Sequence, residues 1–191
     1  MRVLKIQVNN HLKIVLITSV IWLLSACQMA YTPVQNTAMF ELMPVPTELN
    51  NGGWLEKFEF SGVVEQSMLV STEFVKPMIS VAALSFEGVP LTQLQFDTHT
   101  QQLTTSNTLE IDLDGKKIIY DMQSAFWPLT SLEQSINEHC RVVELTVDGQ
   151  VTRRFYRNEI LVREITYTGA LTQLIEFEQK YRLKIERLEE Y

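Results

Sequence analysis

The sequence predicts a mainly β (α+β) domain: a curved antiparallel sheet or half-barrel covered by a helical insertion. Three observations predict it. From Trp54 onward, apolar and polar residues alternate in short runs separated by turn signals. Between residues 115 and 137 the apolar spacing changes to that of an amphipathic helix. Strand-like alternation then resumes and continues to Ile185.

The first strand is read from Trp54, Glu56, Phe58 and Phe60 alternating with Leu55, Lys57 and Glu59, with Gly62 marking a bend. Residues 67–75 and 78–86 are β-rich and flank Lys76-Pro77, and Glu87-Gly88 reads as a turn. Leu91, Leu94 and Phe96 lead to a polar turn over 97–100, after which residues 102–105 return as a hairpin. Ile118, Ile119, Met122, Ala125 and Phe126 recur at helical spacings, and Asp114 stands where an N-cap belongs. Pro128 breaks the helical run, so 115–137 is expected as two short helices with a corner at Trp127-Pro128. Val143, Leu145 and Val147 precede Asp148-Gly149, the strongest hairpin signal in the chain, and residues 151–157 return. Asn158-Glu159 turns into 160–167, Thr168-Gly169 turns again, and strands follow at 174–177 and around Tyr181, Leu183 and Ile185. The charged tail 186–191 is expected to fray.

Ahead of the domain lies a different kind of segment. Arg2, Lys5 and Lys13 are the only charges before residue 41. Residues 14–26 are apolar except for Thr18, Ser19 and Ser25, a run shorter than the roughly 20 residues that span a bilayer. A basic start and a short apolar core predict a signal peptide over 1–26. Leu24-Ser25-Ala26-Cys27 has the pattern of a lipobox, so cleavage before Cys27 and lipidation of its thiol are expected. Acyl chains bind a bilayer with about 0.8 kcal/mol per buried CH₂, and such an anchor would hold the protein on the membrane. Gln28, rather than an aspartate, follows the cysteine, which favours the periplasmic face of an outer membrane. Residues 27–53, with Pro33, Pro44, Pro46 and Asn50-Asn51-Gly52-Gly53, read as a lipidated tether whose 39–43 stretch can still pack on the domain. A single β-rich domain is then expected over 54–191.

Removing 26 of 191 residues leaves 165, with 13 basic and 23 acidic side chains, a net charge of −10. That balance argues against nucleic acid as a partner. Arg153, Arg154 and Arg157 read as the solvated face of a strand. With Cys27 lipidated, Cys140 has no intramolecular partner and is expected as a small buried apolar residue. Its neighbour His139 would point to the opposite face of a strand, and Cys140 with His99 would be the other pairing. His11, His99 and His139 show no zinc-type spacing, no nucleophile elbow occurs, and no cofactor is expected.

The lipobox, the β-rich half, Tyr120-Asp121-Met122-Gln123-Ser124-Ala125-Phe126-Trp127-Pro128, the helix holding Leu132 and the hairpin-rich end together resemble a family of lipoproteins encoded beside aryl polyene biosynthesis genes. That family is linked in architecture to the LolA/LolB carriers, half-barrels closed by helices. The resemblance implies a LolB-like fold and a lipid-handling role, with an acyl or aryl-polyene-type ligand and a periplasmic carrier protein as partner. It supplies no catalytic residues. Met122, Phe126 and Trp127 are the candidate lipid-binding residues; ordinary core packing is the competing account of each. An acyl-handling enzyme (transferase or thioesterase) and a structural lipoprotein of an envelope assembly are the alternatives to a binding protein.

Overall fold

The computed structural model describes residues 38–63, 65–107 and 114–191, and the backbone alone of Val147. The expected signal peptide, the lipidation site Cys27 and the first part of the tether lie outside the described residues.

The described elements run β1 (Gly52–Ser61), β2 (Glu65–Val75), β3 (Met78–Leu84), β4 (Pro90–Asp97), β5 (Gln102–Asn107), α1 (Gly115–Phe126), α2 (Leu129–Ser135), β6 (Cys140–Val147), β7 (Gln150–Arg157), β8 (Ile160–Thr168), β9 (Leu171–Glu176) and β10 (Tyr181–Glu190). All ten strands form one antiparallel sheet in the order β5-β4-β3-β2-β1-β10-β9-β8-β7-β6. Each half is a meander, and the two halves meet where β1 pairs with β10. The edges β5 and β6 are joined in sequence by the helical insertion.

The sheet curls around that insertion. Laid flat, ten strands at about 4.8 Å spacing would be about 43 Å wide, while a helix is about 10 Å across. Yet α1 meets strands from both halves. A Cβ added to Gly115 would lie 2.8 Å from Leu103 Cδ2 on β5, and the carbonyls at the other end of α1 are bonded by Arg153 on β7. Only a bent sheet brings both flanks to one helix. The absent side chain of Gly115 lets α1 approach this close; a larger residue would have to displace the Leu103 and Leu94 side chains.

The insertion forms as its residues dictate. Asp114 caps α1 by accepting from the Lys117 N–H at 3.1 Å. Trp127 ends it in extended conformation, and Pro128, which has no N–H to leave unsatisfied, leads into α2. Across the sheet, period two selects the inner face: Val70, Thr72 and Phe74 on β2, Ile79, Val81 and Ala83 on β3, and Tyr181, Leu183 and Ile185 on β10 are all buried. The β6–β7 hairpin turns on Asp148 and Gly149, both at positive φ (51° and 79°), as a tight two-residue loop demands.

Three expectations are corrected. Residues 38–53 are not all tether. Met39, Phe40, Met43 and Val45 are buried in the core, the compact unit spans Ala38–Tyr191, and β1 begins at Gly52. The segment 38–46 forms a strap across the helices, as the apolar 39–43 stretch allowed. The tail does not fray: β10 runs to Glu190, and Tyr191 exchanges backbone hydrogen bonds with Gly53 at 2.7 and 3.0 Å. Arg153 is not solvated but buried, for a reason given below.

Candidate functional site

Lys117, Asp121 and Ser124 recur at spacings of four and three, so they form one stripe of α1. That stripe faces Arg163 on β8, Glu176 on β9 and Tyr181 on β10, which are cross-strand neighbours on the inner face. Arg163 donates from Nε to Glu176 at 2.9 Å, from one terminal nitrogen to Ser124 Oγ at 2.6 Å, and from the other to Asp121 at 2.7 Å and Tyr181 at 3.1 Å. The Tyr181 hydroxyl donates toward the Asp121 carboxylate (2.8 and 2.9 Å to its two oxygens), and Lys117 Nζ reaches the same group at 3.1 Å.

Burial alone would lower the Arg163 pKa. The surrounding charges and hydroxyls, Asp121 foremost, outweigh it and hold the guanidinium above its ordinary value. Burial raises Tyr181, and it lifts Tyr120, whose ring lies 4.9 Å from the Arg163 guanidinium, to about 12. Burial lowers Lys117, against the pull of Asp121. The cluster is fully engaged with itself. Its groups hold α1 against the sheet.

A second arginine closes the other end of α1. Arg153 donates to the carbonyls of Ser124, Ala125 and Trp127 at 2.8, 3.2 and 2.9 Å, and its other nitrogens bond Glu144 at 2.8 and 2.6 Å. A cation on the last carbonyls of a helix also opposes its macrodipole. The Tyr167 hydroxyl adds a bond to Ala125 O at 2.7 Å.

The strap packs along the helices and reaches the sheet, with the Phe40 and Phe155 rings 6.2 Å apart. Gln123 reads the backbone of Met43 at two points, accepting its N–H at 2.8 Å and donating to its carbonyl at 2.9 Å. Trp127 Nε1 donates to Pro44 O at 2.9 Å, the Met39 N–H donates to the Tyr120 hydroxyl at 2.8 Å, and Asn137 bonds both Met39 and Ala38. Phe40 stacks on Tyr120 with centroids 4.3 Å apart.

Of the sequence-predicted lipid-binding residues, Met122 is 5% exposed, Trp127 is 1% exposed and Phe126 is half-buried. The structure brings all three into the core: Phe126 and Phe74 both meet Trp54 edge-on (5.0 and 4.6 Å), and Trp127 meets Phe74 at 6.0 Å. Cys140 is half-buried with a free thiol, at the end of the sheet opposite the turn that carries His99. Two grooves are evident among the described residues. One, of about 310 Å³, runs over the outer face of β2–β5 beside Ser71, Gln93 and Thr104. The other, of about 430 Å³, lies beside Ser61, Phe177, Lys180 and Arg182.

The polar cluster was missed in the sequence, although a signal existed. Arg163 is in phase with inward Ile165, Glu176 with Thr172 and Leu174, and Tyr181 with Leu183. Charges on the buried phase of three strands require partners, and the polar stripe of α1 supplies them.

Glu56 is the exception to this pairing. It is buried, Oε1 accepts from Arg187 Nε at 2.8 Å, and Oε2 has no hydrogen-bond partner. Arg187 itself lies over the rings of Trp54 and Phe126. Burial raises the Glu56 pKa above 4.5, although Arg187 pulls it down. The folded state therefore holds the proton more tightly than the unfolded state, and stability falls as pH rises from 4.5 through the folded-state value. Glu56→Gln is expected to remove this dependence, so the variant gains on the wild type with rising pH. Urea unfolding of both chains from about pH 4 to about pH 7 tests it, and a pH-independent difference would refute it.

No curated protein matches this chain. Among solved structures it is similar to a candidate outer membrane lipoprotein-sorting protein domain from Vibrio parahaemolyticus, at 8% identity over 75% of this chain and 85% of that one, with a TM-score of 0.39. It is also similar to a DUF1329 family protein from Desulfovibrio piger, at 8% identity over 73% and 84% of the two chains, with a TM-score of 0.25. Likeness at these scores carries no inference about function. The family model described as "Protein of unknown function (DUF3261)" matches residues 57–189, well over half of the chain, and the chain belongs to that family.

Proposed function

We propose that this protein is an outer-membrane lipoprotein whose periplasmic domain binds, without transforming, a long apolar ligand of the acyl or aryl-polyene type and takes part in its delivery. The observation that carries the reading is Leu24-Ser25-Ala26-Cys27 at the end of a short apolar core that follows a basic start. The curved sheet supports it, since a sheet left open between β5 and β6 has an apolar concave side that must be covered. The strap 38–46 is part of that cover, and it continues directly from the expected lipidated tether.

Cys27→Ser is expected to abolish lipidation and leave an uncleaved precursor. Normal-sized, membrane-bound protein in that variant would refute the anchor. The ligand is tested with a fluorescent fatty-acid probe on the folded protein. Saturable binding that weakens in a still-folded Trp127 variant is the expected result, with no turnover of an acyl ester.

A structural lipoprotein of an envelope assembly is the second reading, and a specific observation favours it. The concave side is occupied by α1, α2 and the strap, and polar residues line much of both grooves described above. Absence of probe binding across several lipid types would put this reading ahead.

A further inference from the structure

The two ends of the sheet differ in a way the core does not explain. Strands alternate in direction, so the β1–β2, β3–β4, β7–β8 and β9–β10 connections all emerge at one end. Each carries or adjoins a large apolar residue in solvent: Val63, Phe86 with Val89, Ile160 as the first residue of β8, and Phe177, from 45% exposed for Phe177 to 103% for Val63. The turns at the opposite end are Lys76-Pro77, residues 98–101, Asp148-Gly149 and Gly169-Ala170, all polar or small apart from the proline. The remaining exposed large apolar residues, Val75, Val151, Leu188 and Tyr191, lie toward the opposite end, on strands or at the last residue rather than in the connections there.

The chain enters the domain at the apolar rim. Ala38 O and Met39 O accept from Asn137 at 2.9 and 2.8 Å, and Asn137 O accepts from Cys140, which pairs with Arg157 beside Ile160. Eleven residue steps separate Cys27 from Ala38, a reach of at most about 40 Å. A lipid on Cys27 would therefore tether the domain from this end, within about 40 Å of the bilayer. The charges on the loop tips are Glu87, Glu138, Glu159, Glu178 and Lys180. Glu159 pairs with Arg141 at 2.8 Å and Glu178 with Arg157 at 2.5 Å, so the rim carries little uncompensated charge and suits a zwitterionic surface.

We propose that this rim is a membrane-docking face, which seats the domain end-on against the bilayer that holds its own lipid anchor. The proposal rests on the lipid-anchor reading and adds the orientation. Isolated apolar residues on a surface are ordinary, but four connections that each bring one to the same end of the sheet, with the tether entering at that end, form a contact surface.

The lipidated protein is reconstituted in phosphatidylethanolamine–phosphatidylcholine vesicles containing brominated acyl chains. Phe86→Trp and Phe177→Trp report on the rim, and His99→Trp reports on the opposite end. Trp54 and Trp127 are buried and give a common background. Severalfold stronger quenching at the rim than at residue 99 is expected. Adding Val63→Asp, Phe86→Asp and Ile160→Asp to the Phe177→Trp chain should abolish that excess while its circular dichroism stays unchanged. Equal quenching at the two ends, in protein that co-floats with the vesicles, overturns the docking face and points instead to a protein partner. Undiminished quenching in the aspartate variant also overturns it, because the anchor alone would then explain the proximity. Failure to co-float would show that the anchor reading has failed, and the docking face with it.

Discussion

Arg163→Leu is expected to cost about 3–5 kcal/mol of folding stability, a large part of the roughly 5–15 kcal/mol that such a domain has in total. The wild-type guanidinium is almost fully buried and makes four hydrogen bonds, two of them to carboxylates. Its removal leaves Asp121 and Glu176 in the interior without their principal cation. Lys117 still reaches Asp121, but nothing replaces Arg163 at Glu176. Lysine at position 163 keeps the charge but not the planar fork, so Arg163→Lys should fall between the wild type and leucine. The control is Arg154→Leu, which loses a half-exposed pair with Glu164 and should cost about 1 kcal/mol or less. Urea unfolding of the three variants decides the matter. Similar losses for Arg163→Leu and Arg154→Leu would show that the buried cluster does not hold the fold.

Trp127→Ala is expected to lose a further-reaching set of contacts, about 3–5 kcal/mol from the cavity alone. The indole packs against Phe74, and its N–H satisfies the Pro44 carbonyl of the strap. Deletion therefore opens a void at the corner between α1 and α2 and leaves a carbonyl wanting a partner. The strap should loosen first. Amide hydrogen exchange is expected to rise most at Met39 and Met43, whose N–H groups bond Tyr120 and Gln123. Uniform loss of protection over the whole sheet, with the strap no different, would contradict this order.

Much of the fold was legible because its signals are local. Asp148-Gly149, Asp114 and Pro128 act within a few residues of themselves, and the hairpin, the cap and the helical corner all stand where those residues placed them. What could not be read depended on distant partners. Residues 38–46 carry two prolines, Pro44 and Pro46, as a breaking signal, and nothing local shows that Gln123, 80 positions beyond Met43, holds their backbone. Arg153 looked solvated beside Arg154 and Arg157, because the helix end that it caps lies 26–29 residues earlier. The tail looked frayed because the partner of Glu190 is Trp54. At the candidate site, Met122, Phe126 and Trp127 are legible as apolar helix positions, whereas the polar stripe beside them depends on partners 39 to 60 residues further along the chain.

The pairing of β1 with β10 has a kinetic meaning. It joins the first strand of the domain to the last, so the seam at the centre of the sheet has the greatest sequence separation of any strand pair among the described residues. Each meander can form from neighbouring hairpins, but closing one upon the other bears the loop entropy of the whole domain. A chain emerging N-terminus first cannot complete its sheet until residues 181–190 arrive. Until then β1 presents a bare edge, and the nascent protein is two half-sheets awaiting a final strand.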